Sequence, residues 1–217
     1  MAPVRQKKIA VFFAGGTVFT DFPQRTFAVR TFEDLPPWLE RVKEINLIAK
    51  VSPFFIAGQD DPFSKPSDWD RIYEAIANHY EHMDGFVVVQ SPQSFPYAPI
   101  GAALAFQGTR KPIVYTGSPL PLNFWQLPNH EREPLLPYHH IGLKNNLLSA
   151  VQMATLDIPE VLMVLGNQVS RAALSTLSRG TTKDPFTPSH DALMGRMEFG
   201  LKVAPYHPAS AKHEFRI

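Results

Sequence analysis

Residues 86–94 read FVVVQSPQS. Phe86 to Val89 are consecutive apolar residues, and they run into Gln90-Ser91-Pro92-Gln93-Ser94 without a charge. A strand covered on both faces reads as a continuous apolar run, whereas a half-solvated strand alternates. An apolar strand that empties into a polar loop is how α/β proteins present their ligand-binding turns. This loop holds amides, two hydroxyls and a proline, but no acid, base or metal ligand.

The same pattern recurs on both sides of it. Ile9–Phe13, part of Leu47–Phe55, Ile113–Tyr115 and Val161–Leu165 are further short apolar runs. Helical spacing lies between them. In SDWDRIYEAIANHYEHM, residues 67–83, Trp69, Ile72, Tyr73, Ile76 and Tyr80 fall on one stripe. Ser67 is expected to cap this helix, with Asp70 in a capping-box position. Gly101–Phe106 and Leu143–Leu156 are the next predicted helices. Strand and helix alternate, which predicts an α/β fold: a mostly parallel sheet flanked by helices. Ligands then bind beyond the carboxyl ends of the strands. That rule selects AGGTV, QSPQS, TGSPLP and GNQVS.

With 217 residues the chain can form one sizeable core. Hydrophobic residues make up 44% and charged residues 19%, a globular composition. A net charge of +1 gives no basic field for nucleic acid. No apolar run approaches the ~20 residues of a membrane span. The apolar run after MAPVRQKK is too short for a signal-peptide core and reads as a first strand. Without cysteine there is no disulfide, thiolate nucleophile or cysteine metal site, and a cytoplasmic address is expected. The 21 prolines cluster after the apolar runs and within 119–137, consistent with stiffened loops on a regular scaffold.

Ala14-Gly15-Gly16-Thr17-Val18 follows the first strand directly. Its glycines permit a tight turn with open amide N–H groups, and Thr17 adds a hydroxyl; the same tripeptide also suits a capped βα turn. The Gly-Lys-Ser/Thr of a P-loop and the spaced three-glycine dinucleotide fingerprint are both missing, so a nucleotide site is not expected. Lys111 stands at the start of the fourth strand, where a lone lysine is usually solvated. In the 119–140 excursion, adjacent His139 and His140 do not face one way in a helix or strand; no metal is expected, and the loop is read as polar cover for a pocket.

Taken in order, AGGTV, PSDW, HMDGFVVVQSPQSF, KPIVYTGS, GLKNNLLSAVQMA and GNQVSRAALSTLSRGTTKDPFTPS resemble the bacterial L-asparaginases, most closely the type I, cytoplasmic branch. The resemblance spans about residues 7–205. It implies residues 1–205 as an asparaginase-type amino-terminal domain and 206–217 as a linker-like tail, with the chain ending before the family's carboxyl-terminal domain. It further implies a side-chain amidohydrolase acting on asparagine, and sometimes glutamine, through a threonine acyl-enzyme. The expected partners are a small amide or amino-acid ligand and further copies in a homo-oligomer, with no cofactor.

By this resemblance Thr17 is the nucleophile and Lys111 the lysine of the second catalytic group. Gly16, Ser91 and Gln93, with Gly58, Gln59 and Asp60 of the AGQD stretch, are the implied substrate binders. The family reads His-Gly-Thr-Asp-Thr where this chain reads Gln90-Ser91-Pro92-Gln93-Ser94. Pro92 has no hydroxyl and Gln93 cannot act as a base. The mobile loop after the nucleophile carries a tyrosine in the family, and residues 20–31 carry none. General-base assistance is typically worth ~10²–10⁴-fold, so activity is expected to be impaired. A non-catalytic homologue that binds a small amide or carboxylate, or assembles with a partner, is the alternative. Asp60, Asp61 and Glu131 are the acids that could replace the missing base.

Overall fold

The computed structural model describes residues 5–15, 19–21, 25–27, 29–58, 60, 65–91, 94–118, 127–133, 142–177, 186–188, 192–197 and 201–203. The predicted tail, 206–217, and most of the 119–140 excursion lie outside them.

Each apolar run forms a strand. These are β1 (Lys8–Ala14), β4 (Lys50–Ala57), β5 (Gly85–Val89), β6 (Ile113–Thr116) and β7 (Val161–Leu165). Two short strands, β2 (Phe19–Asp21) and β3 (Arg25–Phe27), form an antiparallel pair after β1. The strands β4, β1, β5, β6 and β7 lie side by side and parallel. The sheet then turns antiparallel through β8 (Gln168–Arg171), β11 (Leu193–Met197) and β12 (Leu201–Val203), making eight strands. A second small antiparallel pair joins β9 (Ser175–Leu177) to β10 (Phe186–Pro188). The antiparallel part follows from a two-residue turn, Gly166-Asn167, in which Gly166 has φ 61°. Glycine accepts that left-handed backbone without strain, and so short a turn can only reverse the chain.

Side-chain alternation divides the core into two layers. Ile9, Val11, Phe13, Val87 and Val89 face one side, under α1 (Leu35–Leu39) and α6 (Leu143–Ala154). Ala10, Phe12, Phe86 and Val88 face the other, under α3 (Pro66–His79) and α4 (Ala98–Ala105). Both faces are therefore covered, which is why these strands read as unbroken apolar runs. The short helices α2 (Ile45–Ile48) and α5 (Asn129–Arg132) complete the set among the described residues.

The α3 stripe is as read: Ile72, Ile76 and Tyr80 are buried. Its cap differs. The helix starts at Pro66, and Asp68 accepts the Lys65 N–H at 2.9 Å, so Lys65 and Asp68 take the places expected of Ser67 and Asp70. Proline at the first helical position has no N–H to leave unsatisfied, and its fixed φ favours the earlier start.

The outer strand β4 contains Pro53. Lys50 donates its N–H to Lys7 O at 2.9 Å, so even-numbered positions point toward β1 and Pro53 points outward. There its missing N–H breaks the row of donors that another strand would need. Residue 56 is bulged: Phe13 pairs with Phe55 and Ala14 with Ala57. The Ile56 carbonyl is taken by the Arg71 guanidinium instead.

A β-carbon on Gly85, at the start of β5, would lie 2.3 Å from Ala154 O. Gly85→Ala is therefore expected to lose about 1–3 kcal/mol of stability, read as a lower urea midpoint at an unchanged m-value.

Candidate functional site

Register places the carboxyl-edge turns side by side. Phe13 pairs with Val89, Ala14 with Ala57, and Val89 with Thr116. One step further, Gly15 lies between the turn beginning at Gly58 and the turn beginning at Gln90, with Gly117 next beyond Gln90. Gly15 has φ 76° and is buried, so the chain after β1 turns sharply where a side chain would be strained. Gly16 and Thr17 follow it in sequence; both lie outside the described residues, as do Gln59, Pro92 and Gln93.

Of the expected binders, Gly58, Asp60 and Ser91 are described, and all three follow parallel strands at this one edge. A β-carbon on Gly58 would lie 2.6 Å from Arg30 O, so the turn after β4 packs directly on the segment leading into α1. That segment is held by Asp34, which accepts the N–H groups of Arg30 at 2.8 Å and Thr31 at 3.0 Å. Those bonds, Arg30 first, hold the Asp34 carboxyl below its ordinary pKa. Asp60 is drawn to the same segment: its carboxylate accepts Arg30 Nε at 2.9 Å. It is an exposed ion-pair partner here rather than a ready general base. Of the other acids considered, Glu131 sits on α5 beside His130 at 3.7 Å, and Asp61 lies outside the described residues.

The turn after β5 is built by its own polar side chains. Gln90 donates from Nε2 to Ser94 Oγ at 2.7 Å, and Ser94 Oγ donates to Ser91 O at 2.7 Å. Ser94 N–H reaches the same carbonyl at 3.1 Å. Because the Ser94 proton is used on Ser91 O, Ser94 can only accept from Gln90, which fixes the orientation of the Gln90 amide. Gln90 Oε1 is left buried without a hydrogen bond among the described residues. An unsatisfied buried acceptor costs about 1–3 kcal/mol.

Lys111 does not join this edge. It precedes β6, whereas Ser91 follows the parallel neighbour β5. At roughly 3.3 Å per residue, Lys111 and Gly117 are about 20 Å apart along the strand. The Lys111 ammonium donates to Tyr80 O, below β5, and lies 4.7 Å from the centre of the Tyr80 ring. The Tyr80 hydroxyl in turn meets Thr109 Oγ1 at 2.9 Å and accepts the Arg110 N–H at 2.8 Å. Lys111 therefore stands at the opposite edge from Gly15, Gly58 and Ser91, because a residue at the entry to a parallel strand cannot reach the exits of its neighbours; Thr17, with which it was expected to share a cleft, lies outside the described residues. Its observed contacts tie the loop before β6 to the end of α3.

Asn146 is a residue that the sequence reading did not select. It is 1% exposed, in the first turns of α6. Its Nδ2 donates to Gly117 O at 2.7 Å, and its Oδ1 accepts the Gly166 N–H at 3.1 Å. One carboxamide thus joins the turns after β6 and β7. Thr116 Oγ1 donating to Val164 O at 2.9 Å adds a second cross-link just below. The available signal was an asparagine immediately before Leu147 on the buried stripe of a predicted helix, where a polar group needs partners.

Beneath this edge, burial pushes the phenols of Tyr115 and Tyr73 well above their ordinary values. Neither will ionise near neutrality, so neither can act there as a base. No group of three or more metal-ligating side chains occurs among the described residues. No helix of the described residues is long and apolar enough to cross a membrane.

The sequence and the fold are similar to those of known proteins. Residues 8–129, more than half of the chain, match the family described as "Asparaginase, N-terminal". The chain belongs to the asparaginase family. It is 27% identical over 216 residues to L-asparaginase 1 of Escherichia coli (strain K12), covering 97% of this chain and 58% of that protein. It is 25% identical over 186 residues to a subunit of the glutamyl-tRNA(Gln) amidotransferase of Thermoplasma acidophilum, covering 86% of this chain and 42% of that protein. The crystal structure of L-asparaginase I from Vibrio cholerae superposes with a TM-score of 0.71 at 20% identity, covering 98% of this chain and 61% of that one. The chain thus spans about three-fifths of the length of the asparaginases it matches.

Removing the Asn146 carboxamide should loosen this edge. Asn146→Leu leaves Gly117 O and Gly166 N without their partner, and is expected to cost about 2–4 kcal/mol in urea denaturation. In Asn146→Asp only a protonated carboxyl can donate to Gly117 O, which raises its folded pKa. That variant is expected to lie nearer the parent in stability at about pH 4 than at about pH 7.

Proposed function

We propose that this chain is an asparaginase-type amidohydrolase of reduced activity, acting on the side-chain amide of L-asparagine and secondarily on glutamine. Thr17 attacks the amide carbonyl, ammonia leaves, and water releases the acid from the resulting ester. The observation that carries this reading is the position of Gly15, whose left-handed turn at the exit of β1 lies between the Gly58 and Gln90 turns and leads into Thr17. Backbone N–H groups of the Gly15-Gly16 turn would stabilise the tetrahedral oxyanion. Gly58, Gln59, Ser91 and Gln93 are assigned to the substrate's polar groups, and Asp60 reaches it only by releasing Arg30. A cytoplasmic address belongs to the same proposal, as does an asparaginase-type amino-terminal domain over residues 1–205.

A second reading is favoured by specific residues. Pro92 and Gln93 replace the hydroxyl and the base, and Lys111 is held at the far edge by Tyr80. With no base beside it, a threonine hydroxyl is a poor nucleophile. The chain would then be a non-catalytic member that binds a small amide or carboxylate or serves as an assembly partner. The amidotransferase relative, itself one component of an assembly, supports this reading. Self-association in either case is assigned to α4, which has no charged residue and leaves Leu104 and the adjoining Tyr97 more than 60% exposed.

Ammonia release from L-asparagine and L-glutamine separates the two. The first reading expects slow turnover that Thr17→Ala abolishes; turnover surviving in Thr17→Ala removes the nucleophile assignment. No turnover, together with saturable calorimetric binding of L-aspartate, selects the second. Absence of both turnover and binding defeats both. Lys111→Met is expected to lower the melting temperature while leaving L-aspartate affinity unchanged. A tenfold loss of affinity in that variant would return Lys111 to the site.

A further inference from the structure

A cavity of about 470 Å³ lies outside the candidate edge, where α3 overhangs β4. That is within the range of small-molecule sites. Its apolar wall is aromatic: Phe12, Phe32, Phe54 and Phe55 contribute to it. Phe54 stacks on Phe12 at 5.2 Å between ring centres and meets the His79 ring at 4.2 Å. The polar wall comes from α3, whose Glu74, Asn78 and His79 line the same space. His79 Nδ1 is 2.8 Å from Ala75 O, a carbonyl that can only accept. Nδ1 therefore carries the proton, and in the neutral ring Nε2 presents a lone pair. Glu74 makes no hydrogen bond or ion pair among the described residues. Arg71, the cation nearest to it on α3, donates to Ile56 O at the bulge.

The wall thus combines aromatic rings, whose faces carry negative quadrupole charge, with a Glu74 carboxylate that no side chain hydrogen-bonds or pairs among the described residues, the Arg71 guanidinium of the same wall being bonded to Ile56 O. That chemistry selects a cation attached to an apolar body. A β-strand from another chain is disfavoured as occupant, because Pro53 interrupts the outward donors of β4 and Arg71 occupies the bulged carbonyl. We propose that this cavity binds a compact aromatic primary amine, its ring on Phe54 and its ammonium on the Glu74 carboxylate. The inference is independent of the chemistry assigned to Thr17.

The test uses 2-phenylethylamine as the probe on the full chain, by titration calorimetry, with phenylacetate as the charge-reversed control. Saturable binding with a roughly millimolar Kd is expected for the amine. Glu74→Gln is expected to weaken it about fivefold, and phenylacetate to bind at least as weakly as the amine does to that variant. Glu74 is exposed, so the variant is expected to melt with the parent. Phe54→Leu, read in the same titration, is expected to weaken the amine without improving phenylacetate. The proposal is overturned if the amine gives no saturable heat at roughly ten times that concentration. It is equally overturned if the two probes bind alike, or if Glu74→Gln binds the amine as tightly as the parent.

Discussion

Parallel pairing of β1 with both β4 and β5 is the constraint from which the rest follows. It covers the aromatic and aliphatic residues of β1 on both faces and brings three chain exits to one rim. Every residue of β1 after Lys8 is nearly or fully buried. A slip of one residue would move Phe12 and Phe13 to opposite layers, each filled to measure, so the register is strongly specified. The position of the Gly15 turn beside the Gln90 turn is a consequence of that packing and needs no separate device.

Cross-links above the core then make the rim rigid. Gln90 and Ser94 shape one turn, Thr116 ties β6 to β7, and Asn146 holds two turns with one carboxamide. All are neutral groups, and all but one of their hydrogen-bonding atoms are used. The exception, Gln90 Oε1, lies on the turn after β5 at the candidate edge. Unsatisfied groups of this kind concentrate at functional or strained sites.

The parallel half of the fold was legible because double-sided burial writes itself as unbroken apolar runs, and because α3 keeps a strict helical stripe. The antiparallel half was not. Its strands are short and mixed in polarity, and the reversal depends on the two-residue turn at Gly166-Asn167, which also looks like an open loop. The site was partly legible. The strand-exit rule picked out the turn that holds Ser91, whereas Gly58, expected only through the family resemblance, follows a neighbouring strand at the same edge. Lys111 was read at the start of its strand, where the structure has it, but the role implied for it by resemblance set it with turns that leave the other end. Asn146 beside the apolar stripe signalled only that a buried polar group needs partners; the partners, Gly117 O and Gly166 N, are backbone groups that no side-chain pattern announces.

The anchorage of Lys111 on Tyr80 has an evolutionary corollary. The groups that brace the sheet at its entrance share no atoms with those that would handle a ligand at its exit. Evolution can therefore rework the turns at one rim of such a sheet while the opposite rim keeps the scaffold standing.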